Sequence, residues 1–324
     1  VPVLLWGPRD ECPDENGMRL RDSQCGLFAT GKVLRRFGIP FTYLKNCNLE
    51  DECFAEGIDR FLRVCNVVKA FRNTRVLQIS TRPFDFWSTM CNEGELLEKF
   101  GIQLSPIPMP ELTQAMKEVT DYCREKMCIK VTPEQLDNVA ALKIAMTRLG
   151  KKYGCNCGAI QCWNALQDEI GIMPCAANAL CNDEGFPIAC ETDIHGTITS
   201  VLVEAAAMGE TRSFFADWTV RHPYNDNAEL LQHCGPWPIS IAKEKPTIDT
   251  PVAFDCSGSL MAQAKDGEHI SLVRFDGDNG EFSLLLGNAK TVDGPYTKGT
   301  YMWVEVENLD RLEDKLVQGP YIHH

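Results

Sequence analysis

Residues 75–109 have the sequence RVLQISTRPFDFWSTMCNEGELLEKFGIQLSPIPM. The apolar run at 75–80 predicts a strand, and the residues that follow the RPFDFW loop predict a helix that ends near Phe100 and Gly101. The segment IQLSPIPM then predicts the next strand. Because strands that alternate with helices form a parallel sheet with covered faces, this stretch predicts an α/β architecture.

The same alternation continues on both sides of this stretch. Upstream, apolar residues at helical spacing predict a helix that has Asp22 or Ser23 as its cap and stops at Gly38. The further predicted elements are a strand at 39–44, helices at 49–71, 112–127 and 133–154, and a strand or helix start at 159–166. The helix at 133–154 is predicted to have Thr132 as its cap and Pro133 in its first turn.

The character of the chain changes from about Gly209, where short strands and turns predominate. TIDTPVAFDC at 247–256 predicts one strand, and FDGDNGEF at 275–282 predicts a hairpin. The predicted fold class is α/β, with Rossmann-like parallel-sheet domains followed by a predominantly antiparallel, barrel-like C-terminal β domain. The predicted domains are 1–72, as the C-terminal part of an N-terminal α/β domain, 73–206, as a central α/β domain, and 207–324, as a mainly β domain that carries part of the functional site.

The composition of the chain argues against some classes of binding partner. The 324 residues carry a formal net charge of -13, which argues against nucleic acid and anionic membrane surfaces as partners. No apolar run approaches the roughly 20 residues that span a bilayer, and the first residues lack the pattern of a secretion signal. We therefore expect a cytoplasmic protein of two or three domains that handles a small molecule.

Sixteen cysteines are scattered along the chain. Without a secretion signal, reduced thiols are the expected state. Cys155, Cys157 and Cys162 lie close together but lack the paired CxxC spacing of structural metal sites, which favours buried thiols. A thiol-rich metal-storage or redox protein stays open as an alternative.

The segment 190–235 carries the residues that suggest chemistry. Glu191, Asp217 and His233 each follow an apolar run that predicts a strand or its end. Catalytic side chains gather at strand ends in α/β proteins. Carboxylate oxygens combined with imidazole favour Mn²⁺ or Mg²⁺ over Zn²⁺, so the pattern predicts a Lewis-acid site.

These residues also carry a family resemblance. CETDIHGTITSVL at 190–202 and FFADWTVRHPYNDNAELLQHCG at 214–235 resemble the metal-site region of the L-fucose isomerase and L-arabinose isomerase superfamily. The resemblance extends through residues 7–44 and 74–90 and reaches GPYIHH at 319–324. It implies an Mn²⁺-dependent enzyme, with Mg²⁺ or Co²⁺ as alternatives, and no nucleotide or flavin.

The resemblance also implies roles for individual residues. Glu191 and Asp217 are expected to bind the metal and to act as the acid/base pair on opposite faces of an enediol, and His233 is expected as a further ligand, with a hydrogen bond to substrate as its alternative role. In GPYIHH, His324 is the preferred metal ligand and His323 a substrate contact, although two such histidines also resemble a tag remnant. The residues expected to contact the sugar are therefore Gln161, Trp218 and His323.

Other polar residues in these segments have simpler interpretations. Asp193 is expected at most to support the site, since TDIHG also predicts a helix start. His195 and His222 are expected to be structural or solvated, and His269, which opens a predicted strand, is expected to be a satisfied structural histidine.

The resemblance implies an aldose-ketose isomerase that acts on a free sugar such as L-fucose, D-arabinose or L-arabinose through a cis-enediol intermediate. A homo-oligomer, trimer or hexamer, with active sites at subunit interfaces is expected. The alternative is a non-catalytic sugar-binding or regulatory protein that retains the isomerase fold.

Overall fold

The computed structural model of the protein describes residues 1–126, 134–251 and 256–324. These residues form two compact units, 1–69 and 70–324. Thr132 and Pro133, the predicted cap and first turn of a helix, lie outside the described residues, as does part of the predicted strand at 247–256.

The described helices and strands follow one another in the order that the sequence predicts over most of the chain. The helices are α1 (Ser23–Arg36), α2 (Glu52–Arg72), α3 (Glu93–Phe100), α4 (Met109–Lys126), α5 (Glu134–Tyr153), α6 (Ala165–Ile170), α7 (Cys175–Asp183), α8 (Ile194–Ala207) and α9 (Leu309–Gln318). The strands are β1 (Leu4–Leu5), β2 (Thr42–Tyr43), β3 (Arg75–Ile79), β4 (Gln103–Ile107), β5 (Cys157–Ile160), β6 (Ile188–Ala189), β7 (Asp217–His222), β8 (Asn225–His233), β9 (Thr247–Asp249), β10 (Ser259–Gln263), β11 (His269–Asp278), β12 (Glu281–Val292) and β13 (Thr300–Val306).

The first unit contains a short parallel pair, β1 with β2. Helix α1 begins after Asp22, and Gly38 beyond its end has a positive φ of 65°. Glycine adopts this left-handed conformation without the steric cost that a Cβ would impose, which explains why the helix stops there.

A four-stranded parallel sheet with the order β4-β3-β5-β6 organises the second unit. Side chains of β3 alternate between its faces: Leu77 and Ile79 pack in the cluster that includes α5 and α7, whereas Val76 packs with α3 and α8. Both faces are therefore covered, as in other parallel sheets.

A seven-stranded sheet follows, in which β13 pairs with β8, β12 and β10. Among the described pairs of this sheet, β10 with β13 is parallel and the others are antiparallel. The predicted hairpin joins β11 to β12, and its turn residues Asn279 and Gly280 have φ of 50° and 82°, the positive values of a type I′ turn.

The predicted α/β class is thus confirmed as a mixed α/β protein with parallel sheets and one mixed sheet. The finer Rossmann-like and barrel-like descriptions stay predictions. Among the described helices, none combines the length and apolar character needed to cross a membrane.

Candidate active site

Three loops meet at one edge of the parallel sheet. Ser80 follows β3, Gln161 follows β5, and Glu191 lies two residues beyond β6. Because the carboxyl ends of parallel strands share an edge, the topology brings these loops together. Two backbone hydrogen bonds connect them: Gln161 donates to the carbonyl of Ile79 and Thr192 donates to that of Ile160.

The backbone at Glu191 has an unusual conformation. Glu191 and Thr192 have φ of 52° and 54°, a region that residues with a Cβ rarely occupy. Hydrogen bonds hold it there: the Thr89 hydroxyl donates to the Glu191 carbonyl, and the Thr192 hydroxyl donates to the Thr81 carbonyl. Consecutive residues in this conformation are costly and tend to occur at functional sites.

The two oxygens of the Glu191 carboxylate have different surroundings. Oε1 accepts hydrogen bonds from the indole Nε1 of Trp163, at 3.0 Å, and from the thiol of Cys162, at 3.3 Å. Oε2 is buried and has no hydrogen-bond partner among the described residues. A buried carboxylate oxygen without a partner is costly, so Oε2 is the atom left for a cation or a ligand.

Asp217, at the start of β7, offers a second oxygen of the same kind, because its Oδ1 is also buried without a described hydrogen-bond partner. The Nε2 atom of His233 lies 3.6 Å from Oε2 of Glu191 and 3.8 Å from Oδ1 of Asp217. The Nε2 atom of His324 lies 3.4 Å and 3.6 Å from the same two oxygens. These separations exceed ordinary hydrogen-bond lengths, so each nitrogen faces both oxygens without a hydrogen bond. The ligand atoms of Glu191, His233 and His324 lie within 4.8 Å of one another, as do those of Asp217, His323 and His324.

The charges of these groups are strongly coupled. Burial by itself would raise the pKa of Glu191, but the neighbouring imidazoles of His233 and His324 outweigh it and lower the pKa to about 2. Burial would lower the pKa of His233, but the charges of Asp217 and Glu191 raise it to about 10. At neutral pH the cluster without a cation therefore contains an ionised Glu191 and a protonated His233.

His324 is held by a buried ionic network. Its Nδ1 lies 2.9 Å from Oδ2 of Asp193, and the guanidinium of Arg274 donates to both oxygens of the same carboxylate. Arg274 also donates to Asp276, whose other oxygen lies 2.8 Å from Nδ1 of His195. A carboxylate that receives the proton of one ring nitrogen leaves the lone pair of the other nitrogen free, which is how histidine ligands are commonly oriented.

His233 is held differently. The backbone nitrogen of Cys234 lies 2.9 Å from its Nδ1, and in the protonated ring the proton on Nε2 faces the two carboxylates. Coordination through Nε2 requires that this proton leave. The aromatic ring of Phe215 packs against both imidazoles, with centroid distances of 5.3 Å to His233 and 4.9 Å to His324.

Of the other residues predicted to contact substrate, His323 lies beside this cluster and Gln161 follows β5 at the same edge of the sheet, whereas the side chain of Trp218 packs against the main hydrophobic core. His323 lies close to Asp217 and His324, and its backbone carbonyl accepts a hydrogen bond from the N–H of Trp218. This bond connects the 319–324 segment to β7. Gln161 receives a hydrogen bond on Oε1 from the Ser80 hydroxyl, at 2.7 Å.

The histidines predicted to be structural or solvated lie as expected. His195 is buried with Asp276, and His222 lies 3.2 Å from the carbonyl of Asp293. His269, predicted to be a satisfied structural histidine, is instead exposed at the start of β11. Asp193 caps α8 by accepting from the N–H of Gly196, which agrees with the predicted helix start, but it also orients His324.

Sequence reasoning missed the network of Arg274 and Asp276, as well as the contacts of Trp163 and Cys162 with Glu191. One signal was present, since Arg274 and Asp276 are two residues apart on a strand and therefore share a face. Their flanking residues Val273 and Phe275 are apolar, so a buried charged pair could have been predicted.

The residues present fit a divalent cation. Two overlapping groups combine a carboxylate with imidazoles: Glu191 with His233 and His324, and Asp217 with His323 and His324. Their carboxylate oxygens lack hydrogen-bond partners among the described residues, and such a set of donors suits a hard or borderline cation, such as Mn²⁺, Mg²⁺ or Co²⁺. Among the described residues, two further groups could hold a metal, formed by Cys47 with Asp51 and Cys53 and by Cys162 with Cys190 and Glu191.

Comparison with known proteins shows which proteins the chain is similar to. The family model described as fucose/sulfoquinovose isomerase, N-terminal domain, matches residues 1–72. Together with the relatives below, this match confirms the resemblance to the L-fucose isomerase-like superfamily.

The relatives extend the likeness over most of the chain. The chain is 24% identical to a sulfoquinovose isomerase of Alkalicoccus urumqiensis, covering 91% of this chain and 68% of that protein. It is also 24% identical to the sulfoquinovose isomerase of Priestia megaterium, over 98% of this chain and 72% of that protein. A sulfoquinovose isomerase of a Clostridium species is 27% identical over 75% of this chain and 56% of its own length.

Proposed function

We propose that the protein is a divalent-cation-dependent aldose-ketose isomerase whose substrate is sulfoquinovose or a closely similar sugar sulfonate. One observation carries the chemical part of this proposal: within the described part of the chain, Oε2 of Glu191 and Oδ1 of Asp217 are buried without hydrogen-bond partners and face the same two imidazole nitrogens. The sequence analysis expected L-fucose, D-arabinose or L-arabinose. The relatives are instead named for sulfoquinovose, so the proposed substrate changes from these sugars to sulfoquinovose.

The cation would be held by Glu191, Asp217, His233 and His324. When bound, a divalent cation stabilises the negative charge that develops on the two substrate oxygens during isomerisation. The other tasks fall to the side chains. Isomerisation needs a base for the proton on one carbon and an acid for the proton returned to its neighbour, and Glu191 and Asp217 are the proposed pair.

The two carboxylates differ in ways that suit separate roles. The side chain of Glu191 is 5% exposed and is fixed through Oε1 by Trp163, whereas that of Asp217 is 31% exposed. Glu191 is therefore the more rigid group, and Asp217 is the one that solvent can reach. Gln161, Trp218 and His323 are proposed to contact the sugar, and the expected trimer or hexamer and the cytoplasmic location stay predictions.

Removal of the cation should abolish turnover. Ketose formation would be measured with sulfoquinovose, L-fucose, D-arabinose and L-arabinose, first in chelator and then after Mn²⁺ is added back. We expect turnover of sulfoquinovose that is lost in chelator and returns with Mn²⁺. Binding of a sugar without conversion of any would contradict the isomerase and favour a sugar-binding or regulatory protein.

Binding of the cation should release a proton at pH 7. Because the pKa of His233 is about 10 in the metal-free protein, its ring is protonated there, and a ligand imidazole must be neutral. We therefore expect about one proton to be released from His233 per Mn²⁺ bound, and affinity should rise as pH approaches 10. Calorimetric titrations in two buffers that differ in ionisation enthalpy measure this number.

The control for this measurement is His233→Asn. Loss of His233 should lower the number of protons released by about one, if His233 is the source. Equal release from the variant and the wild-type protein would show that His233 does not give up its proton, and would remove it from the proposed ligand set.

A further inference from the structure

We infer that Arg82 and Gln161 form a subsite for the sulfonate of the substrate, and this inference rests on the proposed function. Nothing in the comparisons assigns a residue to the anionic group of the sugar. Such a group needs a cationic, hydrogen-bonding partner, since the chain carries a net charge of -13 and the candidate active site is itself rich in carboxylates.

Arg82 has the donors that this role requires. One terminal nitrogen, Nη1, donates to the carbonyls of Pro83, at 3.1 Å, and Phe84, at 2.9 Å. The guanidinium also lies over the ring of Trp87, 5.1 Å from its centroid. Arg82 has no ion pair with a carboxylate among the described residues, so Nη2 and Nε remain available. A guanidinium positioned in this way can bind an oxyanion through two parallel hydrogen bonds.

Arg82 lines an open surface cavity of about 420 Å³ together with Thr81, Phe84 and Gln161. The hydroxyl of Ser80 donates to Oε1 of Gln161, which leaves the amide NH₂ of Gln161 to donate to a ligand. Ser80 has a positive φ of 63°, an uncommon conformation that places its hydroxyl on Gln161. The polar groups available to a ligand are thus the guanidinium, an amide NH₂ and the Thr81 hydroxyl.

The cavity is connected to the catalytic carboxylate by short contacts. The Thr81 carbonyl accepts from the hydroxyl of Thr192, the residue after Glu191. On the other side, the ring of Phe86 lies 5.3 Å from that of Trp163, whose Nε1 donates to Glu191. The segments that carry Arg82 and Glu191 are therefore neighbours, and the inference places the reacting carbons of the sugar at Glu191 and its sulfonate at Arg82.

The other arginine near the site is already paired. Arg274 is buried and makes ion pairs with Asp193 and Asp276. Its charge is neutralised by the network that holds His324, so it is a poor partner for a substrate anion. Arg82 is partly exposed at the cavity and is the better candidate.

The test compares two sugars that differ only in the sulfonate. Sulfoquinovose and quinovose, which carries hydrogen in place of the sulfonate, would be titrated against the Mn²⁺-loaded protein, and KM and kcat would be measured for both. We expect Arg82→Met to raise Kd and KM for sulfoquinovose by about 10- to 100-fold, the size expected for lost hydrogen bonds to a charged group. The constants for quinovose and kcat for sulfoquinovose should change little.

Two more variants make the result specific. Arg82→Lys keeps the charge but loses the planar pair of donors, so an intermediate effect is expected, and it also serves if Arg82→Met fails to fold. Arg148→Met removes an exposed arginine on α5 and should bind and convert both sugars as the wild-type protein does.

The outcomes separate the subsite from the isomerase. Equal weakening of both sugars by Arg82→Met would mean that Arg82 only supports its loop and would overturn the inference, as would unchanged binding of sulfoquinovose. If sulfoquinovose binds in an Arg82-dependent way but is never converted, the proposed isomerase activity is wrong and the sulfonate subsite is supported. If the wild-type protein binds neither sugar, both are wrong.

Discussion

Replacement of Glu191 by glutamine should lower kcat/KM for the aldose by about 10³-fold or more, because it removes a proposed base and an anionic ligand at once. The amide keeps the size of the side chain and can keep the contacts with Trp163 and Cys162 through its oxygen. It cannot offer the negative charge at the Oε2 position, where the carboxylate now faces two imidazoles. Initial rates of ketose formation at saturating Mn²⁺ measure the loss.

Glu229→Gln is the matched control for this substitution. Glu229 is buried on β8, the strand that ends in His233, and burial raises the pKa of its carboxyl group. Neutralising it removes a buried carboxylate of the same sheet without touching the cluster, so near wild-type rates are expected. Rates in Glu191→Gln that match those of Glu229→Gln would rule out Glu191 as a catalytic residue.

Replacement of Asp193 by asparagine should reduce the free energy of unfolding by about 3–5 kcal/mol, because it leaves the buried Arg274 guanidinium without one of its two carboxylates. Asparagine is also a good helix cap, so the bond from the Gly196 N–H to this side chain can persist and the charge effect is isolated. Urea unfolding of the metal-free protein measures the change.

The same substitution should weaken Mn²⁺ binding by about 10- to 100-fold, since Asp193 orients the imidazole of His324. Arg274→Met and the double variant complete a cycle on stability. If Asp193 and Arg274 act as a pair, the double variant should lose less stability than the two single variants combined. Additive losses would show that the ion pair has no energetic role of its own.

Much of the fold could be predicted from local patterns. Neighbouring residues predict the alternation of strands and helices from Arg75 to Ile107 and the end of α1 near Gly38. They also predict the hairpin turn at Asn279 and Gly280. Apolar periodicity and turn residues act over a few positions, so a single sequence contains these signals completely.

The candidate site could be predicted only in part. The pattern of the sequence indicates Glu191, Asp217 and His233 because each follows an apolar run, and the resemblance to the isomerase superfamily adds His324. The role of Asp193 was underestimated, because its partner Arg274 is far away in the sequence and only the packing of α8 against β11 brings them together.

The sequence by itself determined the α/β class, the order of the elements and the residue types that suit a hard cation. Only the tertiary structure decided which side-chain atoms lie close together and have no hydrogen-bond partner among the described residues. Oε2 of Glu191, Oδ1 of Asp217 and the Nε2 atoms of His233 and His324 come from separate strands and a distant segment. Their convergence depends on strand pairing and on long-range packing, and neither is specified by the residues next to them.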